Sequence, residues 1–283
     1  MDLQLAGKAV LITGASGGIG RELARVFAAE GCKLVLTGHS HMDGLTRWLK
    51  DQAFRAQCVA IKADVAKLED VRAAFAAGSK VFGRVDVCVA NAGKWPPPHE
   101  RLDLMAPERM HDTLQANLLG AIWTAKAFME ALAAHGPRDD GHGASLVFIG
   151  STAGRFGEPG HADYSVAKAG LYGLVRTLKN DITQIDPYGR VNMVEPGWTI
   201  TEMAREALDQ PGAVGRVVRT MPIRQLGRAV DVARTVATLS SPAVSRHTSG
   251  QVITVAGGME GRVLWDGPDI DETTIRNRTR EED

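Results

Sequence analysis

Along this chain, short apolar runs rich in Val, Ile and Leu alternate with longer stretches in which apolar residues recur at the helical period. The runs predict seven strands, at Lys8–Thr13, Lys33–Thr37, Cys58–Ile61, Val85–Ala90, Ser145–Gly150, Val191–Val194 and Gln251–Val255. The periodic stretches predict helices near Gly18–Glu30, Met42–Gln52, Lys67–Phe82, Pro107–His135, Ala162–Ile185 and Val230–Leu239, with shorter pieces between Thr201 and Thr220. Continuously apolar strands alternating with helices are what a parallel sheet covered on both faces requires. The expected architecture is therefore α/β: a single-domain, Rossmann-type, doubly wound fold over residues 1–259, with a seven-stranded parallel sheet flanked by helices on both faces. Two regions break the rhythm. One is the proline-rich loop at Lys94–Glu100. The other is a C-terminal tail, residues 260–283, expected to be partly ordered, docking through Val263–Trp265 and fraying at its end.

A chain of 283 residues with 44% hydrophobic content can bury one substantial core. Lys plus Arg number 33 and Asp plus Glu number 33, so the formal net charge is zero. No long-range field then recruits nucleic acid or an anionic membrane, and the expected partner is a small molecule. Cys32, Cys58 and Cys88 are an odd set without paired spacing, each in a strand-like stretch. They read as buried reduced thiols, which suits a reducing compartment and argues against a disulfide; no metal site is expected. No stretch approaches the length of a membrane span, and the N-terminus lacks a basic flank followed by a long apolar run. The expectation is a soluble, cytoplasmic protein.

The chemistry enters with TGASGGIG, Thr13–Gly20, which joins the first strand to an amphipathic helix. A helix N-terminus presents unpaired N–H groups and partial positive charge, which suits a pyrophosphate. Gly14 would allow the tight turn, Gly18 the approach of backbone to phosphate, and Gly20 the packing of helix on strand. Asp64–Val65 follows the third strand and Asn91–Ala92–Gly93 the fourth, both at the carboxyl edge where ligands bind in open α/β sheets; an ordinary cap or turn is the alternative. The densest constellation is Ser151 after the fifth strand, then Tyr164 and Lys168 in YSVAK. Residues four apart share a helix face. A free tyrosine, with pKa ~10, is a poor acid or base at neutral pH, and a neighbouring cation would lower that value. Tyr164 could then exchange a proton with a carbonyl or alcohol, while Ser151 holds the oxygen on which charge develops.

Taken together, TGASGGIG, Asp64–Val65, Asn91–Gly93, Asn117 in QANLLG, Ser151, YSVAK and EPGWTITEM at Glu195–Met203 make the chain resemble the short-chain dehydrogenases/reductases, from about Ala6 to Met259. The resemblance implies a nicotinamide-dependent oxidoreductase that passes a hydride between cofactor and a carbonyl or secondary alcohol, with Asn117, Ser151, Tyr164 and Lys168 catalytic. It implies that Asn117 holds a backbone kink and a water linking Lys168 to solvent. It places Gly14, Ser16, Gly18, Ile19 and Gly20 at the pyrophosphate, Asp64 and Val65 at the adenine, and Asn91, Ala92 and Gly93 along the cofactor. Pro196, Gly197, Thr199 and Thr201 would meet the nicotinamide end, and Tyr164 and Lys168 its ribose. Ala90 departs from the family's usual Asn, and Thr199 from its usual Ile or Val. Cofactor choice turns on Gly38, His39 and Ser40: members preferring NAD carry an acid at the position of Gly38, so NADP(H) is favoured over NAD(H), with His39 and Ser40 as phosphate ligands.

Loops at the same edge supply the expected substrate wall: Trp95, Phe156, His161, Trp198 and Met203. For Trp95, Phe156 and Trp198 a core role is the alternative, and for His161 a solvated loop position. Residues 201–224 are expected to form a flap over the substrate. The family is commonly tetrameric through its long helices, here Pro107–His135 and Ala162–Ile185, so a homotetramer is expected. Two other readings share the fold: a catalytically silent cofactor-binding regulator, and a non-redox epimerase or dehydratase.

Overall fold

The computed structural model describes residues 2–278 apart from 262, 264 and 266, and apart from the side chains of 203, 206 and 207. In chain order its strands are β1 (Ala9–Ile12), β2 (Lys33–Gly38), β3 (Cys58–Lys62), β4 (Val87–Ala90), β5 (Ser145–Ile149), β6 (Arg190–Pro196), β7 (Thr199–Ile200), β8 (Gly227–Arg228) and β9 (Val252–Val255). Seven of them form one parallel sheet in the order β3-β2-β1-β4-β5-β6-β9, and β7 and β8 form a separate parallel pair. The reversal of strand order between β1 and β4 creates the crevice at which ligands bind in this architecture.

Successive strand residues point to opposite faces, so each strand feeds two cores. Val10, Ile12, Leu34, Leu36, Val89 and Val147 belong to one apolar cluster, and Leu11, Val35, Cys88, Leu146 and Phe148 to the other. The first cluster is closed by α1 (Gly18–Ala29), α2 (Met42–Lys50) and α10 (Ala229–Ser240). The second is closed by α3 (Leu68–Phe82), α5 (Gly120–His135) and α7 (Ala162–Asp181), with Phe75 and Phe128 stacked 5.7 Å apart between α3 and α5. The expected sheet, flanked by helices on both faces, is the one observed.

The boundaries differ where pairing or side-chain chemistry overrides periodicity. β6 runs to Pro196, beyond the expected Val194, because it is flanked by β5 on one side and β9 on the other. The helix expected at Pro107–His135 is interrupted: α4 (Pro107–Leu114) passes through a π turn, Gln115–Leu119, into α5. A short α6 (Thr152–Phe156) follows β5, and α8 (Glu202–Leu208) and α9 (Ala213–Val218) make the pieces expected before Thr220.

The tail is more than an appendage. Its helix α11 (Glu272–Arg278) inserts Ile275 into a third apolar cluster with Leu208, Val214, Val218 and Leu226. Glu272 accepts the Gly215 N–H at 2.9 Å, and the Trp265 indole N–H donates to the Met221 carbonyl at 2.6 Å.

Candidate active site

The carboxyl ends of β1, β4, β5 and β6 bring the chemistry-bearing segments to one edge of the sheet. After β1, Gly14 turns with φ +65°, a conformation costly for any residue with a Cβ, and a Cβ there would stand 2.8 Å from Ala92 Cα. A Cβ on Gly20 would stand 2.3 Å from the Gly14 carbonyl oxygen, so helix and turn touch at backbone distance. Thr13 binds the two loops together. Its hydroxyl accepts the N–H groups of Asn91 and Ala92, each at 3.0 Å, and the Asn91 amide donates to the Thr13 and Gly14 carbonyls at 2.8 and 3.2 Å. The first residues of α1 carry no acid, and Gly17 provides no side-chain cap. The helix N-terminus therefore keeps its anion-binding capacity. This cradle of bare backbone fits a dinucleotide pyrophosphate.

Ser16 and Ile19 lie on the same turn, Ile19 packing against the first core and Ser16 Oγ facing Gly38 at the end of β2. His39 and Ser40 are exposed at the rim, and His39 Nε2 stands 3.9 Å from Asp64 Oδ2. Asp64 accepts the Ala66 N–H at 3.0 Å, and Val65 packs against Gly120. Ala90, which departs from the family pattern, is buried in the second core, so apolar packing replaces a polar contact there. At the other end, Pro196 pairs with Val255, and the Gly197 N–H donates to the Val255 carbonyl at 3.0 Å. Thr199 Oγ1 donates to the Gly197 carbonyl, and the Thr201 methyl lies over Gly18.

Asn117 sits in the π turn and is 1% exposed. Its amide donates to the carbonyls of Thr113 and Lys94, both at 3.1 Å, and its oxygen accepts the Lys94 N–H at 3.1 Å. The Asn117 side chain thus reaches back to the Thr113 carbonyl where the helix departs from its regular ladder. Ser151 caps α6, accepting the Ala153 N–H at 3.1 Å, and its hydroxyl lies near enough to the Tyr164 hydroxyl to favour the phenolate. Lys168 is buried. Its ammonium donates to the Ile149 carbonyl at 2.9 Å and lies 5.7 Å from the centre of the Tyr164 ring. Gly93 lies against both Asn117 and Lys168, and a Cβ there would be 2.6 Å from Asn117 Oδ1.

The electrostatics differ from the expectation of a lysine that lowers the tyrosine. Burial pushes Tyr164 up to about 12, with the Ser151 hydroxyl opposing it, and burial pushes Lys168 down to about 8. Desolvation disfavours both charged forms, and here it outweighs the attraction of the cation across 5.7 Å. The pair rests as a phenol beside a readily deprotonated amine.

Of the expected substrate wall, Trp95 stands closest to the chemistry, edge-on to Tyr164 at 5.0 Å. His161 is not solvated: it is 5% exposed and packs against Trp95 with the rings tilted and their centres 4.0 Å apart. Trp198 turns into the third apolar cluster, and Phe156, 42% exposed, is backed by Gly261 of the tail. The Met203 side chain lies outside the described residues. Sequence reading passed over Thr13, though it opens the glycine motif, and also Arg109, Thr113 and Asp163, whose contacts with one another span 50 or more residues. Among the described residues no group of three His, Cys, Asp or Glu could hold a metal ion, and no helix is long and apolar enough to cross a membrane.

A doubly wound sheet with a bare-backbone anion cradle at its switch point, and a Ser–Tyr–Lys cluster beside it, defines a dinucleotide-dependent oxidoreductase. Residues 14–260 match the family described as Enoyl-(Acyl carrier protein) reductase. The chain is 34% identical over 261 residues to the L-rhamnose 1-dehydrogenase (NAD(P)(+)) of Azotobacter vinelandii, covering 90% of this chain and 97% of that one. It is 32% identical to the 3-oxoacyl-[acyl-carrier-protein] reductase FabG of Escherichia coli, covering 91% and 99%. A solved short chain dehydrogenase from Burkholderia cenocepacia in complex with NADP superposes with a TM-score of 0.79 at 30% identity, covering 90% and 98%. The chain belongs to the short-chain dehydrogenase/reductase family and is an NAD(P)-dependent oxidoreductase acting on a small-molecule carbonyl or alcohol.

Proposed function

We propose that this oxidoreductase reduces a ketone on a sugar or ketoacyl compound, and oxidises the corresponding alcohol, with Tyr164 as the proton donor and acceptor. The observation that carries this reading is the Ser151–Tyr164 hydroxyl pair beside buried Lys168. Ser151 holds the substrate oxygen where negative charge develops, and Tyr164 delivers the proton. Burial keeps the phenol protonated at neutral pH, so the acid that reduction needs is the resting form. Lys168, pushed down to about 8, gains and loses a proton near neutral pH and so suits the resupply of Tyr164. Asn117 fixes the turn beside it. A nicotinamide cofactor, when bound, supplies the hydride.

Gly14, Ser16, Gly18, Ile19 and Gly20 would hold the pyrophosphate, Asp64 and Val65 the adenine, and Asn91, Ala92 and Gly93 the middle of the cofactor. Pro196, Gly197, Thr199 and Thr201 would face its nicotinamide. NADP(H) is the preferred form in this reading. Gly38 brings no acid to repel a 2′-phosphate, and His39 and Ser40 are exposed beside it. Trp95 forms an apolar wall, and residues 201–224 close over the substrate. The sugar and acyl-carrier names of the relatives support the substrate classes. A homotetramer is supported by the outer face of α7, where Val166 is 55% exposed and Gly173 faces open space, so that a second helix can approach closely. A cytoplasmic location is supported by three free cysteines with thiols raised by burial.

The test is fluorescence titration with NADPH and NADH, followed by loss of nicotinamide absorbance against sugars and 3-oxoacyl thioesters. Tighter binding of NADPH with turnover on either class supports the proposal. Tight binding without turnover on any carbonyl overturns it.

A further inference from the structure

Beside the reacting centre lies an ion pair that the chemistry above does not use. Asp163 immediately precedes Tyr164 and is completely buried. A buried carboxylate is costly unless its oxygens are satisfied, and here they are. Asp163 accepts the Tyr164 N–H at 2.9 Å, the Thr113 hydroxyl at 2.9 Å and Arg109 Nε at 3.1 Å. The remaining nitrogens of Arg109 fan outward. They donate to the Pro98 carbonyl, to the Gly160 carbonyl at 3.2 Å and to Glu100 at 3.3 Å, and one meets His161 Nδ1 at 3.3 Å.

The contact with His161 fixes its chemistry. A guanidinium can only donate, so Nδ1 must accept, and the ring is neutral with its proton on Nε2. That proton is directed to the Pro96 carbonyl, and both burial and the Arg109 charge push the imidazole below its ordinary value. With both nitrogens engaged, His161 serves as a wedge under Trp95, whose ring in turn meets Tyr164. Arg109 thus ties α4, the proline-rich loop, the loop before α7 and the first turn of α7. Thr113, which also donates to Asp163, is the residue whose carbonyl Asn117 holds.

Resting on the oxidoreductase reading of this site, we propose that Arg109 and Asp163 are positioning residues: the pair sets the first turn of α7 that presents Tyr164 and, through His161, seats Trp95 over it. Neither is a catalytic residue, because among the described residues neither hydrogen-bonds Ser151, Lys168 or the Tyr164 hydroxyl. An apolar pair could fill the same volume, but it could not hold the Pro98 and Gly160 carbonyls together with the imidazole.

The test compares Arg109→Met, Arg109→Lys and Asp163→Asn with wild type, reading NADPH affinity, kcat, KM and amide exchange over residues 94–101 and 160–165. In Arg109→Met, kcat falls by about a hundredfold, the loss that a misplacement of about 1 Å can cause. NADPH affinity stays within about twofold, since the pair lies outside the glycine cradle. Lys keeps the charge but, with a single nitrogen, cannot serve five acceptors, so Arg109→Lys falls between Met and wild type. Asp163→Asn lowers kcat with little change in KM, whereas Arg109→Met also raises KM because Trp95 is released. Wild-type kcat in an Arg109→Met variant that binds NADPH normally overturns the proposal. If wild type itself reduces no carbonyl, the oxidoreductase reading has failed and amide exchange decides the positioning role. Faster exchange in both segments of Arg109→Met upholds it, and unchanged exchange overturns it.

Discussion

At the scale of single residues, what matters is which charges the site tolerates. Ser151, Tyr164 and Lys168 meet in a desolvated corner where the phenol rests protonated and the amine is easily neutralised. Tyr164→Phe removes one hydroxyl and leaves the glycine cradle untouched. Steady-state assays should show turnover lowered by about 10²- to 10⁴-fold, the usual worth of a positioned acid, with cofactor affinity nearly unchanged. Near-normal turnover would remove Tyr164 from its role. Gly38 offers the complementary experiment. A Cβ there would meet nothing closer than 3.5 Å, an ordinary contact distance, so the backbone does not forbid a side chain at this position. Gly38→Asp should shift the NADPH-to-NADH affinity ratio toward NADH by about tenfold or more, equivalent to about 1.4 kcal/mol, as read by nicotinamide fluorescence. An unchanged ratio would mean that the end of β2 does not choose the cofactor.

At the scale of elements, the sheet was legible because buried parallel strands are apolar throughout, and few architectures besides a doubly wound sheet need them to alternate with helices. Ser151, Tyr164 and Lys168 were legible because they are close in sequence and each has a stated chemical use. What periodicity could not show is the π turn at Gln115–Leu119, since a five-residue departure leaves the apolar pattern of α4 and α5 intact. Nor could it show His161 as a buried wedge. That role depends on Arg109, 52 residues earlier, and a lone histidine before a helix resembles a loop residue. The docking of Trp265 was legible in the tail, but α11 was not: it buries little beyond Ile275, in a cluster with Leu208, Val214, Val218 and Leu226 from far earlier in the chain. Ile275→Ala should cost about 2–4 kcal/mol of local stability. Because this cluster is separate from the two main cores, the loss should appear as faster amide exchange over residues 201–226 and a higher substrate KM. A fall in global Tm without those changes would argue against a flap held down by the tail.

At the scale of the whole molecule, the buried lysine trades stability for activity. Lys168 has a folded-state pKa of about 8 against an ordinary 10.5. Its depressed value means that folding disfavours the protonated form. Below pH 8 both folded and unfolded chains carry the proton and the penalty is complete; it shrinks as pH rises from 8 to 10.5, where the unfolded chain also releases its proton. Tyr164, raised to about 12, contributes with the opposite sign, but only above pH 10, where the unfolded phenol begins to ionise. The difference between Lys168→Met and wild type from pH 6 to pH 9.5 therefore isolates the lysine, because the three cysteine thiols, which ionise near pH 9 only in the unfolded chain, contribute equally to both. Lys168→Met keeps the length of the side chain, removes the charge and gives up the bond to the Ile149 carbonyl. A shift of this size corresponds to roughly 3–4 kcal/mol. Chemical denaturation at pH 7 should find Lys168→Met more stable than wild type by about 1–2 kcal/mol once the lost hydrogen bond is deducted. The gap should narrow toward pH 9.5, and turnover should be abolished throughout. If the variant is instead less stable at pH 7, the bond to the Ile149 carbonyl outweighs the desolvation of the ammonium, and Lys168 is held at no cost to the fold.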